Sequence, residues 1–438
     1  MLFYGDDILK RIRKPVLLST LFMGLGQLVQ KQYVKAALYA LIEIVFLLHI
    51  PTFIHKIKGL VTLGDAKPEL PIGQRDNSLF FMIEGIVFVI LLAIFIVLYI
   101  SNIRDARHNE QQKEKTGAYT SMSQFWSTFA DKSFTLLGLS PVIVLLVFFV
   151  LVPILFSALI AFTNYASPDH IPPAKTVDWT GTQAFQDLAT LSTWKSAFVR
   201  TASWTLLWAV LSTLTCYAGG TLAALALSDK KIKLPGFFRA VYVLPYAVPA
   251  LLSLLMWRIL LNGQFGPINR MLMEWGWLQK GIPWLSEPNL ARFSVILVNL
   301  WLGFPYFMLL ITGTMTSIPA DVYEAAAIDG ANKRTQFFKI TLPLLLYQTI
   351  PLIIMTFSYN LNNFGAVFFL TGGGPMDTLT TQSGAGATDI LMSWMYKLTL
   401  DLRQYNKAAV LSILIFAVIA PFAIYNFSRT KAFKDGEL

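Results

Sequence analysis

The chain has 438 residues, 55% hydrophobic and 14% charged, with 33 Phe, 11 Trp and a mean hydropathy of +0.57. That composition excludes a disordered or water-soluble chain and defines a polytopic membrane protein. The net charge of +10 is first an orientation signal, since no DNA- or RNA-binding module accompanies it, and the lone Cys216 excludes a disulfide framework.

A spanning helix needs ~20 mostly apolar residues. In chain order, the basic "KRIRKP" is followed by an apolar run, 15–29, containing "MGLGQLV". This run has only about half the required length and reads as re-entrant or interfacial. It has no small-residue cleavage site, so no removable signal peptide is expected. Eight windows then qualify as spans: 36–54, 79–101, 136–163, 201–227, 240–261, 293–315, 345–370 and 408–427. The fold class expected is all-α and polytopic, with about eight transmembrane helices. Counting Lys and Arg with the N-terminus inside gives 21 basic residues in inner segments and 11 in outer loops, of 35 in all. Basic residues are retained on the cytoplasmic side, so both termini are expected there.

Charges within spans are costly and mark either ion paths or packing and snorkelling. Glu43 and Glu84 lie in the first two windows and Arg258 near the outer end of the fifth. Both readings stay open for these three, which form no relay. His49, His55, His108 and His170 are scattered over a span end and loops without a second ligand at metal-site spacing, so no metal is expected. There is no G-x-S-x-G elbow and no convincing carboxylate pair, and the chain is not expected to be an enzyme by itself. No phosphate-cradling G-x-x-x-x-G-K-[ST] loop is present either. "LTGGGPMD" at 370–377 is glycine-rich but lacks the lysine and falls outside the cell.

Between the sixth and seventh windows the chain turns polar: "SIPADVYEAAAIDGANKRTQFFKITLP". Ser317 and Pro319 offer a capped helix start, and Asp321 and Glu324 suit the positive end of the dipole. Gly330 allows a left-handed helix end, Asn332 can cap a second short helix, and Pro343 is expected to stop it. A small-faced, non-spanning cytoplasmic helix suits a groove in another protein, though a loop with some helix in it fits the same pattern.

Glu324, Ala325, Ala326, then Gly330, then Ile340, Leu342 and Pro343 resemble the coupling motif of permease subunits in binding-protein-dependent ABC importers. "VLPYAVPAL", "NLWLGFPYF", "YNLNNFGAVFFLTGGGP" and "GATDILMSWMYKL" are similar to the larger permease of maltose and maltodextrin importers. The resemblance covers about residue 134 to the C-terminus. It implies a type I importer permease core over 134–438 with six spans and a cytoplasmic coupling helix, after an N-terminal region 1–133 with two spans. It implies four partners: a second permease subunit, an ATPase dimer, an extracellular or periplasmic solute-binding protein, and the sugar itself. ATP and Mg would be bound by the ATPase, with no cofactor on this chain. One departure is that the 164–199 loop is short where some members insert a whole domain.

A sugar site needs dense hydrogen bonding beside flat apolar surfaces. At 3.6 residues per turn, Asn299, Leu302, Gly303 and Tyr306 share one face of the sixth window, and Thr356, Asn360 and Asn363 one face of the seventh. Amides in spans also glue helices together. In the family resembled, the positions matching these seven contact the sugar, so the resemblance implies a maltose or maltodextrin site. An ion-coupled secondary carrier or a permease for another oligosaccharide is the alternative.

Overall fold

The computed structural model describes residues 14–119, 138–171, 175–229, 231–376 and 382–428. Among these the regular structure is helical, apart from one isolated bridge between Thr163 and Trp179. Among the described residues, seven helices are long and apolar enough to cross a membrane, or eight if one bent pair is a single span. The chain forms two compact units, Met1–Thr180 and Gly181–Leu438. The 133/134 boundary expected from sequence lies outside the described residues, as do the terminal stretches 1–13 and 429–438.

The first unit holds α1 (Lys14–Leu21), α2 (Leu25–Val29), α3 (Tyr33–Thr62), α4 (Ser78–Thr116) and α5 (Gly138–Ile160). At eight and five residues, α1 and α2 are too short to span. They turn on Gly24, whose φ of 90° suits glycine, and α4 holds them through amides. Asn102 accepts from the Gly24 N–H at 3.1 Å and donates to Ser19 O at 3.0 Å, while Gln27 and Gln30 donate to Asn102 O and Ala106 O at 3.0 and 2.8 Å. The two acids within the first two spans are engaged locally: Glu43 accepts from the Met23 N–H, and Glu84 pairs with Lys56 at 2.7 Å. A Cβ at Gly85 would lie 2.3 Å from that of Leu60, so α3 and α4 cross closely because this position is bare.

The second unit holds α6 (Gln183–Thr190), α7 (Ser192–Leu227), α8 (Pro235–Ala247), α9 (Ala250–Leu260), α10 (Pro267–Glu274), α11 (Pro288–Thr316), α12 (Ala320–Ile328), α13 (Lys333–Gln336), α14 (Leu342–Leu361), α15 (Phe364–Thr371), α16 (Leu391–Leu400) and α17 (Tyr405–Phe427). The central α7 packs against α11 and α14. Its Gly220 faces α11 so closely that a Cβ would sit 2.7 Å from Met308 N. Two buried apolar clusters flank the middle of this bundle. One gathers Trp204, Trp208, Leu254, Val298, Leu370 and Ile390, and the other Tyr217, Phe307, Met308, Ile311 and Leu345.

Two expected spans are interrupted. The fifth is bent by 91° between α8 and α9, at Val248 and Pro249. Pro249 cannot donate the helix bond and biases Val248 to its extended ψ of 136°. The seventh stops at Leu361 and restarts at Phe364, with Asn363 Oδ1 accepting from Ala366 N at 3.3 Å as a cap.

Two expectations for the elbow are corrected. Ser317 does not cap α12; its hydroxyl donates to Thr314 O at 2.8 Å. Pro343 does not stop the second elbow helix, because α13 runs on into α14 as one helix, Lys333–Leu361, through a wide turn over Phe337–Thr341. The i→i−5 bonding of that turn absorbs the N–H that proline lacks.

Candidate functional site

The two interrupted spans face α11 across a cavity of about 920 Å³. All seven residues proposed from sequence as a sugar site line it: Asn299, Leu302, Gly303, Tyr306, Thr356, Asn360 and Asn363. The α8–α9 break contributes Tyr246, Val248 and Pro249, and α14 and α15 contribute Tyr359, Phe364 and Phe369. Among the described residues, no Asp, Glu, His, Lys or Arg lines the cavity. Among the described residues, no group of His, Cys, Asp or Glu could hold a metal ion.

The seven are not equally free to meet a ligand. Asn360 is 3% exposed, its Nδ2 donates to Thr213 Oγ1 at 3.1 Å and its carbonyl accepts from Trp208 Nε1 at 3.0 Å. Asn299 is 8% exposed and leans on Cys216, Nδ2 to Sγ at 3.6 Å. Thr356 donates to its own helix, to Leu352 O at 2.9 Å, leaving its oxygen as an acceptor. Tyr306 is 37% exposed, and among the described residues its hydroxyl has no hydrogen-bond partner. Its ring lies 6.5 Å from that of Tyr246, tilted by 35°. The lining is thus amide and hydroxyl groups set among aromatic faces, which can bind a neutral polyhydroxylated molecule and has no group to cleave one.

The sequence did not single out Tyr246, Tyr359 or Phe369. The signal for Tyr246 was available: it stands between Pro245 and Pro249, and two prolines four apart inside an apolar window mark a break that exposes what lies between them.

At the far end of α11 the elbow forms a braced hairpin. Gly330 takes a φ of 81°, its N–H donates to Ala327 O at 3.1 Å, and that of Ala331 donates to Ala326 O at 2.9 Å. This paired closure fixes the four-residue step from the second alanine of the motif to its glycine. Tyr323 OH meets Thr341 Oγ1 at 3.0 Å, and Gln336 Nε2 donates to Tyr323 O at 3.3 Å, tying α12 to the base of α14. Glu324, Ala325 and Gly330 stay exposed, and Ile328 is 87% exposed. Ile340 and Leu342 are half-buried and Pro343 exposed at the foot of α14, so they support the hairpin rather than form its tip.

The fold and the cavity define a polytopic membrane transport subunit. Residues 216–430 match the family described as binding-protein-dependent transport system inner membrane component. The chain is 36% identical over 424 residues to the galactooligosaccharides transport system permease protein GanP of Bacillus subtilis (strain 168), covering 97% of this chain and 99% of the other. It is 33% identical over 440 residues to the maltodextrin transport system permease protein MdxF of the same organism, covering 98% of each. A bacterial ABC transporter involved in the import of the acidic polysaccharide alginate is similar in fold, with a TM-score of 0.55 at 20% identity over 70% of this chain and all of that one. The chain belongs to the family of binding-protein-dependent ABC importer permeases, inner-membrane subunits that transport rather than catalyse.

Proposed function

We propose that this subunit carries a maltodextrin-type oligosaccharide through the cavity of its second unit, driven by ATP hydrolysed on a separate ATPase. The observation that carries the reading is the convergence of Asn299, Leu302, Gly303, Tyr306, Thr356, Asn360 and Asn363 on one cavity lined by five further aromatic rings and, among the described residues, by no Asp, Glu, His, Lys or Arg. The elbow, with Glu324, Ala325, Ala326 and Gly330 at its tip, lies on the cytoplasmic side with both termini and docks into a cleft of the ATPase dimer. ATP and Mg belong to that dimer. A second permease subunit completes the pathway, and a solute-binding protein delivers the sugar from outside. Closure of the ATPase pulls on the elbow, and the Tyr323–Thr341 and Gln336 braces pass that pull to α14, which carries Thr356 and Asn360.

A galactooligosaccharide is the second reading, favoured by the 36% identity to the GanP permease. Either sugar presents hydroxyls to the amides and C–H faces to the rings. Uptake of labelled maltotriose by the reconstituted transporter, with galactotriose as competitor, separates them. The maltodextrin reading predicts saturable maltotriose uptake that galactotriose does not inhibit. ATP-independent uptake driven by a proton or sodium gradient would instead establish a secondary carrier.

A further inference from the structure

The glycine-rich stretch after α15 is built around two buried charges. Asp389 is fully buried and its carboxylate accepts from Lys397 Nζ at 2.6 Å, Ser393 Oγ at 2.7 Å and the Gly386 N–H at 2.7 Å. Lys397 itself is 5% exposed. Gly373, at a φ of 79°, closes over the pair so tightly that a Cβ would lie 1.9 Å from Asp389 Oδ1 and 2.4 Å from Lys397 Nζ.

The pair fixes the chain just before α16 against the ends of α7 and α11 that lie away from the elbow. Trp204 Nε1 donates to Thr388 O at 3.0 Å, Arg292 Nε to Ala387 O at 2.8 Å, and Leu391 N to Thr205 Oγ1 at 2.9 Å. The next side chain, Ile390, is fully buried in the apolar cluster that contains Leu254 and Ala366. Both of those residues also line the cavity. The segment 386–391 therefore backs the apolar wall of the cavity, through Ile390, on the side opposite the coupling hairpin.

We propose that Asp389 and Lys397 are a positioning pair that holds 386–391 as the outer seal of the transport path. A seal needed only for stability is better made of apolar groups, since desolvating two charges offsets much of their attraction. A seal that opens in every cycle gains from the ion pair: once water enters, hydration compensates both charges, so the dry closed and wet open states stay close in free energy. Burial pushes the Asp389 carboxyl above its ordinary range, and the Lys397 ammonium opposes that shift.

The inference rests on reading the cavity as the sugar path, but its test needs no sugar, so the two can fail separately. Cys216 is the one cysteine of the chain, is 3% exposed and lines the cavity. In right-side-out vesicles holding the assembled transporter without ATP, a membrane-impermeant maleimide is added outside, and modification of the Cys216 peptide is followed by mass spectrometry. Asp389→Asn combined with Lys397→Met is expected to raise the modification rate about tenfold over the parent, as a shift of the seal toward its open state requires. Lys397→Arg, which keeps the pair, is expected to restore a rate near that of the parent. An unchanged rate in the assembled double variant overturns the proposal. If the double variant does not assemble, Gly373→Ala, which wedges the pair apart with both charges kept, is read in the same way. Failure of both to assemble also overturns the proposal, because the pair is then a folding determinant.

Discussion

A Cβ placed on Gly303 of α11 would stand 2.7 Å from the sulfur of Cys216 on α7, so these two residues set how closely the helices cross beside the cavity. The resemblance assigns Gly303 to the sugar, whereas the geometry gives it a packing task as well. Gly303→Ala is expected to lower the melting temperature of the purified complex, at an overpacking cost of about 1–3 kcal/mol. Cys216→Ala removes the sulfur that the new methyl meets, so the double variant is expected to recover most of that loss. If stability recovers and uptake does not, Gly303 also meets the substrate directly; if stability does not recover, the crossing is held elsewhere.

Tyr306 and Asn360 are expected to fail differently. The Tyr306 hydroxyl has no partner among the described residues and its ring faces the cavity, so Tyr306→Ala should abolish uptake while the complex assembles and melts as before. Asn360 is bonded to Thr213 as well as facing the cavity, so Asn360→Ala should lose uptake and also destabilise the complex by ~0.6–1.5 kcal/mol. Uptake of labelled sugar in proteoliposomes beside thermal melting checks both. Survival of uptake in both variants would leave these residues as helix glue.

Most of the spans, and the residues that come to line the cavity, were legible in the sequence. The apolar windows located the spans because lipid demands a fixed length of apolar helix, and the elbow was visible as the polar exception. The four-residue step from Ala326 to Gly330 is a local signal, since a left-handed helix end needs its glycine at a set distance. What stayed hidden depends on distant contacts. The break at Asn362 and Asn363 carries no proline, and asparagine is tolerated inside many helices. The Tyr323–Thr341 brace joins residues 18 apart, and the burial of Asp389 against Lys397 needs the folded glycine loop above it. In sequence those two charges are ordinary loop residues.

Gly330 separates backbone from docking. Nothing lies within 4 Å of a Cβ built there, so a side chain meets no atom of this chain and the local cost comes from its φ of 81°. Asparagine tolerates that conformation and valine does not, by roughly 1–2 kcal/mol. Gly330→Val, like Glu324→Lys, is expected to reduce co-purification of the ATPase and to abolish uptake. Gly330→Asn tells the causes apart: retained coupling makes the glycine a helix terminator alone, and lost coupling means the ATPase cleft has no room for a side chain at this point.

Glu43 offers a test of the ion-coupled alternative. It lies in α3 at 8% exposure with its carboxylate on the Met23 N–H, where it anchors the turn between α1 and α2. Glutamine keeps the carbonyl acceptor for the Met23 N–H and has no acidic proton to pass on, so Glu43→Gln is expected to retain the parent rate of uptake. Glu43→Ala removes the acceptor and leaves a buried N–H unsatisfied, a cost of about 1–3 kcal/mol. It should lower the melting temperature without creating any dependence on a proton gradient. A proton relay predicts the opposite order, with the glutamine variant inactive although stably assembled. That result, measured as sugar uptake with and without an imposed pH gradient, would move the energy source from the ATPase to the membrane.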